Sequence, residues 1–185
     1  MPIEAELKAR VRDVEGVRRR LRALAAARIE VYRDTYYDGP DRRLTSEGRE
    51  LRVRSIERGG EQTVLLTYKE PAVDTESGSK PEHETRADSA EALDAMLTGL
   101  GFEPLVAFEK HCANHAFTAD GRECLATLVT VPELDGTFIE VETIVSDEDL
   151  DAGLGTVRRV LMELGIEEGD LTTEQYTDAV MERRR

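Results

Sequence analysis

The chain contains 185 residues, 39 % of them hydrophobic and 35 % charged, with a formal net charge of −14. That size supports about one domain with a substantial core, read here as a single domain over residues 1–185, and no apolar run is long enough to span a membrane. The acid excess argues against nucleic acid as a partner, since phosphate backbones reward basic surfaces, yet a local cluster of cations with bound metal can still hold a small polyphosphate.

Charged Glu4, Glu6 and Lys8 alternate with Ile3, Ala5, Leu7 and Ala9, a period of two that predicts a strand with one charged and one apolar face. A first strand starting almost at once leaves no room for a signal peptide, and the expected location is cytoplasmic. After residues 2–12, Asp13 is placed to cap a helix whose Val14, Val17, Leu21 and Leu24 share one stripe. Arg18, Arg19, Arg20 and Arg22 fall largely off that stripe and read as a solvated face. Residues 29–38 form a second predicted strand ending in Asp34-Thr35-Tyr36-Tyr37-Asp38, and Gly39–Gly48 is rich in turn formers.

A hairpin is expected next. Glu50, Arg52 and Arg54 alternate with Leu51 and Val53, Gly59-Gly60 supplies a tight turn, and Thr63–Lys69 returns. Residues 71–80 read as a mobile loop. Glu82, Glu84 and Arg86 alternate on a further strand, and Ser89 can cap a helix with Leu93, Met96, Leu97 and Leu100 on its apolar face, stopped by Gly101. A long strand through Phe108, Lys110 and Cys112 follows, then strands at 122–131 and 136–145 around a Pro132–Gly136 turn, the second carrying Glu140 and Glu142. Asp147 is expected to cap a helix bearing Leu150, Leu154, Val157, Leu161 and Leu164. A last helix is expected to open at Thr172, with Gln175 completing a capping box and Tyr176 and Val180 on its face.

Three times a Glu-x-Glu strand is followed within ten residues by a capping residue and an amphipathic helix. Only four lysines occur, and Lys8, Lys69 and Lys110 all stand on polar strand faces. The pattern suggests an inverted design: charged faces turned inward around a cavity, apolar faces covered by helices outside. About eight strands can close into a barrel holding one small ligand. The alternative is an ordinary α+β sandwich with its charged faces in solvent.

The motifs, in order, resemble those of the CYTH superfamily, the triphosphate tunnel metalloenzymes, and within it the class IV adenylyl cyclase-like branch. They are Glu4-x-Glu6-x-Lys8, Asp34 to Asp38, Leu51-Arg52-Val53-Arg54, Leu66-Thr67-Tyr68-Lys69-Glu70-Pro71, the Glu82/Glu84 strand and Gly136-Thr137-Phe138-Ile139-Glu140-Val141-Glu142, with the likeness reaching Gln175-Tyr176. The resemblance implies a closed eight-stranded antiparallel β-barrel, helices packed outside it, and Mg²⁺ or Mn²⁺ as the working ion. It further implies Glu4, Glu6, Glu140 and Glu142 as metal-associated carboxylates and Lys8, Arg52, Arg54, Lys69, Arg86 and Lys110 as phosphate ligands, with Glu6, Lys69, Glu140 and Glu142 forming the catalytic set. The expected partner is a nucleotide or polyphosphate, with no membrane and no nucleic acid, and the resemblance admits a homodimer. The expected reaction is conversion of ATP to cyclic AMP and pyrophosphate. The alternatives are hydrolysis of tripolyphosphate or thiamine triphosphate, and a degenerate or repurposed barrel that binds a polyphosphate or diphosphate.

Two positions depart from the family pattern. The strand of Lys110 usually continues Lys-x-Arg, and here the second position is Cys112. The strand before the last glutamate pair usually carries an Asp where Val129 stands. One cation and one carboxylate are therefore expected to be missing. Losing a charged contact in such a site can cost a few kcal/mol, enough to change substrate or abolish chemistry. Cys112 and Cys124 offer neither a disulfide framework nor a zinc site and read as small buried hydrophobes. His111 and His115 are expected to point outward, in a surface or packing role, and Tyr36, Tyr37 and Tyr68 to be core aromatics.

Overall fold

The computed structural model describes residues 2–185. Eight strands are present: β1 (Ile3–Arg10), β2 (Arg28–Asp38), β3 (Glu50–Arg58), β4 (Glu61–Lys69), β5 (Lys80–Ala87), β6 (Glu103–Ala119), β7 (Arg122–Thr130) and β8 (Phe138–Val145). They close into a barrel in the order β1-β5-β4-β3-β2-β6-β7-β8, with every pairing antiparallel. The barrel expectation holds, and the open sandwich is excluded. The three Glu-bearing strands β5, β1 and β8 are neighbours, so a spacing repeated along the chain becomes one acidic wall.

The helices are α1 (Val14–Leu24), α2 (Arg43–Ser46), α3 (Ala90–Gly99), α4 (Leu150–Glu163) and α5 (Tyr176–Arg183). α1 and α4 cover the apolar outer faces of β1, β7 and β8. Leu7, Ala9, Ala126, Leu128, Ile139 and Val141 pack there against Val17, Leu21, Val157, Val160, Leu161 and Leu164. Each buried aliphatic side chain there contributes roughly 1.5–3 kcal/mol of transfer free energy. A second cluster lies on the other side of the sheet, where Tyr32, Tyr36, Phe108, Cys112, Val129 and Phe138 meet Tyr176 and Val180 of α5. One part of the barrel interior is therefore apolar. Among the described residues, no helix is long and apolar enough to cross a membrane.

Several local expectations need correction. Asp147–Asp149 forms one 3-10 turn, and the long helix starts only at Leu150. The last helix starts at Tyr176, because Thr172 donates its N–H to the Lys8 carbonyl and Leu171 bridges Ala9, holding that segment extended along β1. Gln175 stands at its N-cap without a side-chain cap bond, so no capping box forms. On α3 only Leu97 is buried, while Met96 and Leu100 are 62 % and 75 % exposed. Lys80 belongs to β5 and not to the preceding loop. The histidines need no correction: His111 is at the surface beside Glu109, and His115 packs with Nδ1 against the Ala25 carbonyl.

Candidate functional site: a charged chamber inside the barrel

Register fixes the acidic wall. Glu6 of β1 stands opposite Glu142 of β8, and Lys8 opposite Glu140. Like charges directly opposed are destabilising unless something neutralises them. Glu4, Glu6 and Glu142 each present a carboxylate oxygen, all within 4.8 Å of one another. Glu140 stands apart from this triad, facing Lys8, Lys110 and Tyr176.

The cations come from the facing strands. Lys69 of β4 is ion-paired with Glu4 and lies 2.9 Å from Glu82. Arg54 of β3 forms a bidentate pair with Asp34 of β2, both bonds 2.7 Å, and Lys110 lies 3.7 Å from the same carboxylate. Arg52 donates to Thr67 at 3.2 Å, and Lys80 pairs with Glu50 at 2.5 Å. Lys8 has no ion pair among the described residues. Its ammonium lies 4.4 Å from the centre of the Tyr176 ring, with that of Lys110 at 4.8 Å. The lysines and arginines, with Glu4, Glu6, Glu50, Glu140 and Glu142, line one cavity of about 120 Å³, bordered by the Ser77–Ser79 loop and by Thr172, Thr173, Gln175 and Tyr176.

The electrostatics divide the acids. Burial and the charges of Glu140 and Glu4 push the Glu6 carboxyl up to about 8. Burial, Glu4 and Glu6 drive Glu142 well above the usual carboxylate range. Burial also disfavours the Glu4 anion, but the adjoining Lys69 ammonium wins and holds it down to about 2. Glu140 is lowered in the same way, with Lys110 and Lys8 outweighing burial, and so is Asp34, through Arg54. Burial and mutual repulsion thus favour the protonated forms of Glu6 and Glu142 over the anions, against the pull of Lys69. Three convergent hard oxygen donors with unmet negative potential fit a Mg²⁺- or Mn²⁺-type cation.

Of the residues expected to act together, Glu4, Glu6, Lys8, Arg52, Arg54, Lys69, Lys110, Glu140 and Glu142 all line this chamber. Arg86 does not. It is exposed at the opposite end of the barrel, in a separate pocket of about 500 Å³ with Arg28, Glu30 and Arg58. Sequence reasoning overlooked Asp34, Glu50, Lys80 and Tyr176 as site groups. Asp34 shares strand parity with Tyr32 and Tyr36, and Lys80 was the one lysine left without a place. Tyr36 lines the chamber as well as the apolar cluster, so it is more than core. Cys112 and Val129 are direct register partners, both buried in that cluster. They pack together as uncharged neighbours, so neither position leaves an orphaned charge.

A closed barrel with carboxylates and cations facing a central chamber defines a pore for metal and polyanion. The CYTH domain pattern matches residues 2–176, and the chain belongs to that family. A Methanocaldococcus jannaschii protein provisionally named an adenylate cyclase is 27 % identical over 179 residues, covering 95 % of this chain and 97 % of the relative. A solved protein from Pyrococcus horikoshii OT3 superposes with a TM-score of 0.83 at 27 % identity, covering 98 % of this chain and 99 % of its own. A Hippeastrum protein, provisionally an adenylyl cyclase and described with a dominant triphosphatase activity, has a TM-score of 0.68 at 16 % identity over 98 % and 96 % of the two chains. That last likeness is one of fold alone.

Proposed function

We propose that the chamber performs metal-assisted chemistry on a triphosphate, and that its reaction is the class IV cyclase type, ATP to cyclic AMP and pyrophosphate. The observation carrying this reading is the carboxylate triad Glu4, Glu6 and Glu142 facing Lys69, Arg52 and Arg54 across one enclosed cavity. Glu4, Glu6 and Glu142 would hold the divalent ion, with Glu140 beside them. When bound, the ion supplies neutralising charge and Lewis acidity at the phosphates.

The protein's own groups then do the positioning. Lys8, Arg52, Arg54, Lys69 and Lys110 take phosphate oxygens, Arg through planar bidentate contact and Lys as a point charge. To receive them, Arg54 must share its guanidinium between Asp34 and ligand, and Lys69 must do the same between Glu4 and ligand. In cyclisation the ribose 3′-oxygen bonds to the α-phosphorus, the bond from that phosphorus to the bridging oxygen breaks, and pyrophosphate leaves stabilised by the cations. Glu6, kept ionised once a cation occupies the triad, would take up the proton released by the hydroxyl. Rate enhancement comes mainly from orientation and preorganised charge.

A second reading is hydrolysis, favoured by the fact that every phosphate-holding group above would serve a water nucleophile equally well. A third, a barrel that binds without turnover, is motivated by the Cys112/Val129 replacement. Incubation with ATP, tripolyphosphate and thiamine triphosphate in Mg²⁺ or Mn²⁺, followed by product identification, separates them. Cyclic AMP with pyrophosphate is the expected result; orthophosphate instead supports the hydrolase, and tight binding without product the binder. Glu140→Ala should remove metal-dependent turnover, and retained activity would refute its assignment.

A further inference from the structure

At the end of the barrel away from the chamber lies a second cavity, with a volume of about 500 Å³. That volume is within the range for small-molecule sites, roughly 300–1,000 Å³. Its walls come from β2, β3, β4 and β5, and it shares no residue with the chamber. Strand alternation turns Arg28, Arg58, Leu65 and Arg86 to the inner face, as it does Arg54 and Lys69, but at the other end of the tunnel. Three arginines from three strands thus converge in a chain whose formal net charge is −14. None of them has a part in the chemistry proposed above.

A buried polar network braces this end of the barrel. The Glu30 carboxylate accepts from Asn114 Nδ2 at 2.7 Å, from the Tyr32 hydroxyl at 3.1 Å and from Arg28 Nε at 2.8 Å. Thr127 in turn donates to Asn114 Oδ1 at 2.8 Å, and all four of these residues other than Arg28 lie in the interior with Glu30. Glu30 is therefore satisfied from within the fold, and Arg28 is committed to it. Glu84 is engaged as well, accepting from the Thr67 hydroxyl at 2.9 Å on the side of Arg52. Arg58 and Arg86 are left. Arg58 lies 3.9 Å from Glu30, beyond hydrogen-bond reach, and faces Glu61 in register without an ion pair among the described residues. The Arg86 side chain is exposed and has neither an ion pair nor a hydrogen bond among the described residues. Apolar surface borders both: Ile56 precedes Arg58 by two on β3, and Leu65 is the register partner of Arg86.

We propose that this far mouth is a second ligand site, for a small organic monocarboxylate whose carboxylate is held by Arg58 and Arg86 and whose apolar body lies on Ile56 and Leu65. A guanidinium presents a planar fork of donors that matches a carboxylate through two parallel hydrogen bonds. The balance of charge selects a monoanion. Arg28, Arg58 and Arg86 are matched by Glu30, Glu61 and Glu84 along the same walls, so the cavity has no surplus field to gather a polyphosphate. One negative charge needs only the two uncommitted guanidiniums, whereas several would meet the glutamates. The aliphatic surface selects an organic ligand, because burying it under a hydrated inorganic anion gains nothing. The site does not depend on the triphosphate reading, and either can stand without the other.

The test titrates isotope-labelled protein with benzoate, its neutral isostere benzamide, and inorganic phosphate, following backbone amide shifts by two-dimensional NMR. Benzoate at millimolar concentration is expected to give saturable shifts centred on Ile56, Leu65 and Arg86. Benzamide lacks the charge and should bind roughly tenfold more weakly or worse, and phosphate lacks the apolar body and should do the same. Arg86→Gln should weaken benzoate by roughly tenfold, whereas Lys8→Gln, in the chamber, should leave it unchanged. Arg86 has no partner to lose, so its melting temperature serves as the folding control; should that variant not fold, Arg58→Gln is expected to show the same loss. Absence of saturable benzoate shifts overturns the site, as do shifts centred on Glu6, Lys8 and Glu142. Equal binding of benzamide or of phosphate overturns the ligand class, and unchanged benzoate affinity in the arginine variant removes the proposed contact.

Discussion

Asp34 is enclosed between Arg54 and Lys110, with its side chain wholly shielded from solvent. Asp34→Asn keeps the shape and removes the charge, leaving Arg54 without its bidentate partner and Lys110 with Glu140 alone. Losing one partner of a buried pair costs about 3–5 kcal/mol. The melting temperature should therefore fall by on the order of 10 °C for a chain of this size. Tripolyphosphate brings negative charge to the same cations, so its thermal shift should be larger in Asp34→Asn than in wild type. An equal or smaller shift would place Asp34 outside the phosphate site. Tyr176 poses a complementary question. Its ring meets Phe138 edge-on at 5.2 Å and lies beneath two ammoniums, while its buried hydroxyl faces Glu140. Tyr176→Phe retains the ring contacts, so turnover should drop about tenfold, the value of one hydrogen bond to a charged group, with little change in melting temperature. Tyr176→Ala should lose both. If Phe matches wild type in turnover, the hydroxyl has no part in the chemistry.

Among the elements, α4 sets the position of the acidic wall from behind. A Cβ placed on Gly153 would lie 2.7 Å from Val145 Cγ1 and 3.3 Å from Ala5 Cβ, whereas one on Gly155 meets nothing within 4 Å. The two glycines, two positions apart on different faces of the helix, should respond with opposite signs. Gly153→Val forces α4 away from β1 and β8 and should destabilise by about 1–3 kcal/mol. Gly155→Ala should stabilise by about 0.4–1 kcal/mol, by restricting the unfolded chain. Urea midpoints read both, and a loss in each would show that α4 does not seat as described. The same scale explains what was legible in the sequence. Strand alternation states which face a residue occupies, so the Glu4/Glu6 and Glu140/Glu142 pairs could be placed inside the barrel. Alternation does not state the height along the tunnel, which depends on register and shear between strands. Arg86 has the correct parity and the wrong height. On α3 the helical stripe was read too wide, because only the Leu93 and Leu97 side meets the sheet.

Over the whole molecule, the acids of the chamber oppose one another in their effect on stability. Glu4, Asp34 and Glu140 have lowered carboxyls in the fold, each held by cations against the effect of burial. Their contribution is present above the unfolded value, about 4, and is lost as pH falls through the folded one, about 2 for Glu4. Glu6, Glu142 and Glu82 are raised, by burial and then by neighbouring carboxylates. Their contribution is complete below the unfolded value and disappears as pH climbs through the folded one, about 8 for Glu6. Metal-free protein should therefore be most stable near pH 4–6 and weaken on both sides. The alkaline limb carries the functional information, because a divalent cation among Glu4, Glu6 and Glu142 replaces the protons lost there. Melting temperatures in EDTA should fall from about pH 6 to about pH 8.5, whereas with saturating Mg²⁺ the fall should largely vanish. Glu6→Gln should flatten the EDTA curve and shrink the Mg²⁺ response together, since it removes the charge that both depend on. Parallel curves with and without Mg²⁺ would mean that the three acids do not share a cation, and that their convergence serves the fold alone.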